Sequence, residues 1–361
     1  MKAIGITVFG MEDIAIQEMK DFGFRAEKIS GGRIEIEVKK VEEIYAIAYR
    51  TRGLHLIYQF LDKVNFSSLD ELKICAENID ISIVGKFKVQ CHRTGKHEFN
   101  SMEVEKIIGE AFYEKGHKVD LKNPETIVFA DIIEGMCFFG IAVTDFTLSK
   151  RDYRIKSVQE GINAALAYCV VRENWNKKEI LLDPFCKDGV VIIEAASYAL
   201  NLPSGYFRKR DFKLFKTFDF SKIDAKIENK KLNVFGCDPL LHNVRDCEIH
   251  SKLANVNKNM EFSRVDTEWL DTKYKEKSVD KVITVPPYMI KKIGERGLSK
   301  IYDEFFFQLE FILKDDGKII FIAHGKSLLE EAAKKYKFTI KNEKEAAIGE
   351  TIYKILTFEK C

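Results

Sequence analysis

The sequence contains no pair of cysteines at C-x-x-C spacing, although eight of its 361 residues are cysteine. Cysteines scattered in this way are typical of reduced, buried thiols, so they argue against a disulfide framework and against a zinc site. The longest apolar run, residues 305–313, is interrupted by Gln308 and Glu310 and is too short to cross a bilayer. An acidic pair at 12–13 interrupts any secretory signal. We therefore expect a cytoplasmic protein with no membrane partner and no metal.

Proline is scarce, and its placement is informative. Four of the six prolines (184, 239, 286 and 287) directly follow segments that read as strands. Proline cannot continue a central ladder, and it forces the preceding residue into an extended conformation. The pattern predicts sharply ended strands along one rim of a sheet, which favours a binding crevice there.

Net charge excludes little, because 58 basic residues nearly balance 56 acidic ones. Residues 1–150 carry 20 basic and 24 acidic side chains, whereas residues 151–300 carry 28 and 21. The basic middle segment permits an anionic partner without requiring one.

The hydrophobic pattern divides the chain into three segments. Residues 1–65 alternate short strands and helices, which predicts a small α+β domain. Its opening, GMEDIAIQEMKDFGF (10–24) with GGRIEIEV (31–38), resembles a ferredoxin-like domain. Residues 66–155 contain a capped amphipathic helix and a hairpin closed near 134–135, and form a second α+β domain. From residue 160 to 361, apolar strands alternate with long helices, which predicts a Rossmann-like, doubly wound α/β sheet edged by an antiparallel pair.

Three carboxylates mark the ends of successive predicted strands in the third segment: Asp183, Asp238 and Asp266. A carboxylate at the tip of the second strand suits a ribose, because it accepts hydrogen bonds from both hydroxyls. The first turn, residues 183–189, holds one glycine, whereas a dinucleotide fingerprint needs three. The pattern favours a nucleoside-like cofactor over a dinucleotide.

Several motifs carry a resemblance to a known family. DPFCKDGVVIIEAA (183–196) resembles the first motif of S-adenosylmethionine-dependent nucleic-acid methyltransferases, and VPPY (285–288) is similar to their [D/N]-P-P-Y motif. HRTGKHEFNSMEVEKIIGEAF (92–112) and LSKRDYR (148–154) resemble a THUMP domain and its exit, an RNA-binding module. Together they resemble the archaeal-type THUMP methyltransferases that modify guanine-N2 in tRNA.

The resemblance implies a role for each matching residue. The cofactor S-adenosylmethionine would be bound by Asp183, Phe185, Gly189, Asp238 and Asp266. Catalysis would use Pro286, Pro287 and Tyr288, with Tyr288 stacking on a flipped guanine and the Pro286 carbonyl accepting from its amine. Contacts to tRNA would come from Arg93, Lys96, His97, Lys150, Arg151 and Arg154.

The chain departs from the family pattern at two important positions. Val285 replaces the Asp or Asn that would bond to the target amine, and a lost positioning bond costs about 2–4 kcal/mol in the transition state. Lys187 replaces a glycine, where its side chain either crowds or pairs with the carboxylate of the cofactor. A catalytically inactive, tRNA-binding homologue is therefore the alternative hypothesis. The nucleotide modified and the oligomeric state are left open.

A second basic segment, residues 207–231, contains nine basic and four acidic residues with five phenylalanines interleaved. Such a pattern is typical either of an RNA-stacking platform or of an amphipathic segment packed on the fold. The sequence does not decide between these two.

Overall fold

The structure is a computed structural model that describes residues 1–156, 158, 161–215, 218–288 and 294–361. Residues 2–142 form a mixed eight-stranded sheet in the order β2-β3-β1-β4-β8-β7-β5-β6. Its strands are β1 (Lys2–Thr7), β2 (Ala26–Ser30), β3 (Arg33–Glu37), β4 (Leu54–Asn65), β5 (Lys86–Thr94), β6 (Lys118–Val119), β7 (Thr126–Ile133) and β8 (Met136–Ala142). Its helices are α1 (Glu12–Asp21), α2 (Val41–Arg50), α3 (Leu69–Asn78) and α4 (Ser101–Glu114).

The second sheet has seven strands in the order β11-β10-β9-β12-β13-β15-β14. Its strands are β9 (Leu181–Asp183), β10 (Val234–Asp238), β11 (Glu261–Arg264), β12 (Val279–Thr284), β13 (Leu313–Ala323), β14 (Phe338–Ile348) and β15 (Thr351–Lys360). The accompanying helices are α5 (Ala164–Asn174), α6 (Val190–Ala199), α7 (Ser221–Asp224), α8 (Leu241–Leu253), α9 (Leu270–Lys273), α10 (Glu295–Ile312) and α11 (Ser327–Lys335).

This second sheet confirms the predicted doubly wound architecture. Strands β11, β10, β9, β12 and β13 are parallel, and β15 and β14 add an antiparallel edge. One face packs against α5 and α6, and the other against α10 and α11. Because neighbouring parallel strands end at the same edge, the tips of β9, β10 and β12 meet on one rim.

The first sheet curls strongly, so strands that are not neighbours touch across its inner face. Ile4 of β1 and Phe129 of β7 share one apolar cluster, although β4 and β8 separate their strands. Arg33 of β3 also reaches Asp131 of β7 with a bidentate contact, at 3.0 Å from Nε and 2.6 Å from Nη2. Burial opposes ionisation of Asp131, but hydrogen bonds from His92 and Arg33 lower the pKa of its carboxyl. The Arg33–Asp131 ion pair therefore joins β3 to β7 across the inner face of the curled sheet.

Several local predictions for this half are confirmed. The capping box at α4 is present, with Asn100 accepting from the Glu103 amide at 3.1 Å and Glu103 accepting from the Asn100 amide at 2.7 Å. Strands β7 and β8 form the antiparallel hairpin, and Glu134 in its turn has a φ of 53°. The sequence missed β2, which pairs with β3. The division at residues 65 and 66 remains a prediction, and the eight-stranded sheet continues across it.

Within residues 207–231, the described phenylalanines other than Phe207 pack on the fold, which decides between the two interpretations of this segment. Phe212 and Phe215 are each 4% exposed, and the ring of Phe215 stacks on Tyr45 of α2 at 4.1 Å between centroids. Tyr49 donates to Asp224 at 2.7 Å. Phe207 is the exposed exception, at 48%. These phenylalanines attach an insertion of the second sheet to the helices of the first, and they do not form an RNA-stacking platform.

A buried ionic cluster joins the two sheets at the carboxylate of Glu194 on α6. Arg52 reaches Glu194 at 2.9 Å, and Arg151 reaches it through Nε at 2.9 Å and Nη2 at 3.1 Å. Tyr153 donates to the same carboxylate at 2.9 Å, and all four side chains are buried. Burial raises the pKa of Glu194, but the guanidinium groups of Arg151 and Arg52 outweigh it and lower the value to about 2.

The described residues provide neither a membrane-spanning helix nor a cluster of metal ligands. No described helix is long and apolar enough to cross a membrane. Within the same ranges, no group of three or more His, Cys, Asp or Glu side chains is arranged to hold a metal ion.

We predict that Glu194→Gln lowers the free energy of unfolding by about 3–5 kcal/mol, because it leaves two buried guanidinium groups with no counter-charge. Urea unfolding followed by far-UV circular dichroism measures this loss. Glu350→Gln is the matched control, since Glu350 is exposed in the turn between β14 and β15. Equal urea midpoints for the two variants would contradict a stabilising role for the cluster.

Candidate functional site

A cavity of about 700 Å³ opens on the rim where the parallel strands end. Residues from the predicted site and from α10 line it together: Val158, Phe185, Lys187, Asp238, Pro239, Leu240, His242, Asn243, Asp266, Thr267, Glu268, Pro287, Lys300, Ile301 and Glu304. The apolar walls and the few carboxylates suit a ligand with one flat apolar part and several hydroxyl groups.

Asp238 lies at the tip of β10 and organises the neighbouring loops. Its Oδ1 accepts from the Leu240 amide and the Asn243 side chain, both at 2.9 Å, and its Oδ2 accepts from the Lys187 amide at 3.0 Å. Burial is the main cause of the raised pKa of Asp238. A carboxylate has about four acceptor positions, so one position on Oδ2 is left for a ligand hydroxyl on the cavity side.

Asp183 lies at the tip of β9 but is buried beneath the cavity, with 1% of its surface exposed. Its Oδ1 accepts from the Thr284 hydroxyl at 2.5 Å and from the Phe185 amide at 3.2 Å, which joins β9 to β12 and shapes the first turn. Burial raises the pKa of Asp183 to about 7. The residue does not line the cavity and supports its floor instead.

The turn from β9 into α6 takes unusual backbone conformations at two positions. Lys187 has a φ of 52°, in the left-handed region that favours glycine. Gly189 has a φ of 81°, and a Cβ there would stand 3.1 Å from the Cys247 sulfur of α8. Gly189 is thus required by the backbone and by close packing, and is set back from the cavity. The Lys187 side chain lines the cavity.

The tetrapeptide after β12 forms the wall opposite this turn. Tyr302 of α10 donates to the Pro287 carbonyl, and the Tyr288 ring meets His324 edge-on at 5.0 Å between centroids. Val285 is 6% exposed and belongs to the apolar core, so it presents no polar atom to the cavity. Pro286 is buried beside it.

Asp266 falls slightly outside its expected position. Strand β11 ends at Arg264, so Asp266 begins the loop beyond the strand and is not its last residue. It is exposed and lines the cavity. It precedes a short 3₁₀ helix whose amides its side chain does not cap.

The expected RNA contacts divide into two groups. Arg93 lies near the end of β5, and Lys96 and His97 follow that strand. Lys96 is exposed, and His97 contacts the Glu134 carbonyl at 3.1 Å. Lys150 is also exposed. These four remain predictions.

The prediction that Arg151 contacts tRNA is wrong. Its side chain is 2% exposed because both edges of its guanidinium are used within the protein, so it has no surface for a phosphate. Arg154 is mostly paired, with Nε 2.6 Å from Asp188 and Nη1 2.6 Å from the Ile162 carbonyl. Both arginines hold in place the segment that follows β8 and leads from the first sheet to the second.

Sequence reasoning missed the contribution of α10. Lys300, Ile301 and Glu304 line the cavity from the first half of this helix. Their helical spacing was visible in the sequence, but which face of the helix meets the strand tips depends on its packing on β12 and β13.

Family models match both halves of the chain. Residues 151–354 match the RMKL-like methyltransferase domain family, and residues 66–142 match the THUMP domain. The first match covers more than half of the sequence. The chain belongs to the RMKL-like methyltransferase family.

Relatives of this methyltransferase match along almost its full length. A Methanocaldococcus jannaschii protein named tRNA (guanine(6)-N2)-methyltransferase is 29% identical, over 94% of this chain and 95% of its own. A Thermus thermophilus protein of the same name is 25% identical, over 90% and 89% of the two chains. A ribosomal RNA large subunit methyltransferase K/L of Vibrio parahaemolyticus is 23% identical over 85% of this chain but only 46% of its own.

Solved structures share the fold of this methyltransferase. TrmN from Thermus thermophilus superposes with a TM-score of 0.72 at 24% identity, over 100% of this chain and 99% of that chain. A putative methyltransferase, SMU.472, solved in complex with SAH, superposes with a TM-score of 0.82 at 16% identity, over 100% and 98%. The order of domains is therefore common to all three proteins.

We predict that Asp183→Asn flattens the pH dependence of stability between pH 4 and pH 7. The folded protein keeps the Asp183 proton up to about pH 7, whereas a carboxyl with the ordinary value of 3.8 loses it sooner. In this window the folded state binds more protons, so unfolding free energy falls as pH rises, by about 4 kcal/mol for this group. Urea titrations of both proteins at pH 4.5 and pH 7.5 measure the difference. If the free energy of unfolding changed equally with pH in the two proteins, the prediction of a neutral, buried Asp183 would be contradicted.

Proposed function

We propose that the protein is an S-adenosylmethionine-dependent methyltransferase that modifies guanine-N2 in tRNA, with the THUMP region gripping the RNA. The observation that carries the proposal is the cavity of about 700 Å³ at the tips of β9, β10 and β12, bordered by Asp238, Asp266 and Pro287. Membership of a methyltransferase family and the names of the two nearly full-length relatives support it.

The cavity residues fit S-adenosylmethionine. Asp238 has an acceptor position left for a ribose hydroxyl, and the exposed carboxylate of Asp266 suits an adenine amino group. Phe185 and Leu240 provide apolar surface for the purine. Lys187 lines the same cavity, where its ammonium group suits the carboxylate of a methionyl moiety. When bound, S-adenosylmethionine supplies an electrophilic methyl group attached to a sulfonium.

The task of the protein is to orient the guanine amine, because its lone pair is delocalised into the ring. Fixing that nitrogen in line with the methyl group and excluding water are the main contributions available to the side chains. The Tyr288 ring lies at the rim, where it can stack on a base removed from its helix. The Tyr302 hydroxyl holds the Pro287 carbonyl and so keeps this wall in place.

Asp238, Asp266 and Lys187 would hold S-adenosylmethionine so that its methyl group could pass from the sulfur to the guanine nitrogen. Val285 contributes no hydrogen bond to the amine, so orientation would depend on stacking and on the backbone carbonyls of the tetrapeptide. A tRNA substrate supports the proposal that this activity is cytoplasmic.

Guanine 6 is the position to test first, because both nearly full-length relatives are named for it. The position reached on a tRNA depends on the distance between its grip and the cavity. That distance is set by the connection of the two sheets through Glu194, Arg52 and Arg151.

We predict that Asp266→Asn weakens S-adenosylhomocysteine binding by roughly 10-fold, because an amide that faces the adenine amino group loses an ionic acceptor. Isothermal titration calorimetry measures this without any transfer reaction. Asp271→Asn is the control, since Asp271 is exposed nearby but does not line the cavity. Wild-type protein that gives no heat with the ligand would contradict the enzyme proposal, and two equal affinities would remove Asp266 from the site.

We predict that the protein transfers a tritiated methyl group from S-adenosylmethionine to a tRNA transcript with guanine at position 6. A transcript with adenine there, and its pairing partner changed to match, should accept none, because adenine lacks the N2 amine. Scintillation counting after acid precipitation measures the transfer. Equal labelling of both transcripts would contradict position 6.

Two variants of Tyr288 test whether its ring contributes to methyl transfer. Tyr288→Ala should lower transfer by roughly 10- to 100-fold, whereas Tyr288→Phe, which keeps the ring, should retain most of it. Protein that binds S-adenosylhomocysteine and tRNA but labels no guanine would favour the catalytically inactive homologue.

A further inference from the structure

A second cavity, of about 290 Å³, lies where the helices of the first sheet meet those of the second. We call it the junction cavity. It is bounded by α1 and α2 on one side and by α5 and the end of α6 on the other, and its walls include Glu18, Asp21, Phe22, Arg50, Arg52, Tyr168, Arg172, Lys177, Ser197, Tyr198, Asn201, Leu202, Pro203, Ile223 and Lys226. None of its walls belongs to the cavity of about 700 Å³ at the strand tips, which we call the methyl-transfer cavity.

The walls of the junction cavity carry more positive than negative charge. Five cationic side chains line it against two carboxylates, those of Glu18 and Asp21. Glu18 is occupied by the Thr51 hydroxyl at 2.6 Å and the Arg52 amide at 2.9 Å, and Asp21 pairs with Arg172 at 2.6 Å. Both carboxylates keep their negative charge and act on Arg50, but two negative charges do not balance five positive ones.

Arg50 and Lys177 are half-buried, and within the described ranges neither has a carboxylate at salt-bridge distance. Glu18 and Asp21 act on Arg50, and Glu228 and Asp21 act on Lys177, from farther away. The Arg50 guanidinium lies over the Phe22 ring at 3.8 Å, and the Lys177 ammonium lies over the Tyr198 ring at 4.1 Å. Lys177 also contacts the Asn201 side-chain oxygen at 3.4 Å. Burial lowers the pKa of both groups. An anion in the cavity would stabilise both charges.

A neutral donor lies on the same wall. Ser197 is 1% exposed and lines the cavity near the end of α6, so its hydroxyl is available as a donor to a ligand there. A hydroxyl beside two cations is a donor set typical of a phosphate site.

We propose that the junction cavity binds a phosphate group, held by Arg50 and Lys177 with the Ser197 hydroxyl as a further donor. The phosphate belongs either to a small phosphorylated molecule or to the tRNA backbone, since both present the same oxygens. Helix α6 begins at the turn of the methyl-transfer cavity and ends at the junction cavity, and its ten residues span about 15 Å. The two sites are thus distinct.

Calorimetric titration with inorganic phosphate, at constant ionic strength and pH 7.5, tests the proposal with no methyl donor present. Wild-type protein should bind one phosphate per chain. Lys177→Gln and, separately, Arg50→Gln should each weaken it by roughly 10-fold or more, because each removes one charge-assisted hydrogen bond. Lys178→Gln is the matched control, since this exposed neighbour does not line the cavity.

Filter binding of tRNA to the same variants distinguishes the two sources of phosphate. Unchanged tRNA affinity in Lys177→Gln, together with weakened phosphate binding, would support a small phosphorylated molecule. Weakened tRNA binding with a salt slope smaller by about one would support a backbone phosphate. Because neither phosphate binding nor tRNA binding requires methyl transfer, failure of the methyltransferase assays would not change the interpretation of these two measurements.

Two outcomes would overturn the proposal. One is the absence of phosphate binding by the wild-type protein. The other is phosphate affinity in folded Lys177→Gln and Arg50→Gln equal to that of Lys178→Gln. Circular dichroism melts of each variant establish that it is folded, and two independent substitutions prevent one unstable variant from deciding the result.

Discussion

The carboxylate of Glu194 is the interaction on which the arrangement of the molecule depends. It is completely buried and accepts from Arg52 of the first sheet, from Arg151 of the connection and from Tyr153. Two guanidinium groups offset the cost of burying one carboxylate, and their remaining N–H groups donate to backbone carbonyls of both halves. Because α6 also begins at the turn beside the cavity, one helix relates the RNA-binding half to the reacting centre.

The methyl-transfer cavity shows how a family motif divides into supporting and contacting residues. Asp183 and Gly189 belong to the motif, yet one is buried beneath the cavity and the other is packed against α8. Asp238, Phe185 and Lys187 face the cavity. Sequence motifs do not separate these roles, because Asp183 and Asp238 are both the last residue of a strand. Nothing in that position tells which of the two will line the cavity. The same limit applies to Arg151, whose exit motif suggested a phosphate contact.

Local features were predictable because their causes are local. The capping box needs only Asn100 and Glu103 three residues apart, and the hairpin of β7 and β8 needs a turn between two alternating strands. The antiparallel pair of β14 and β15 followed from two strands with no helix between them. Strand β2 was missed because its residues are only partly buried at a sheet edge, where the apolar alternation is weak.

By itself, the sequence determined most of the order of elements and the strand tips at which a cavity forms, since these follow from hydrophobic period and from proline. The THUMP and methyltransferase halves were indicated by motifs that resemble those of known families. Only the tertiary structure decided the curl that brings Arg33 to Asp131, the packing of residues 207–231 on α2, and the cavity face of α10. It also decided which cations are paired, and so revealed the junction cavity. These features depend on contacts between residues far apart in the chain, whose partners no local pattern specifies.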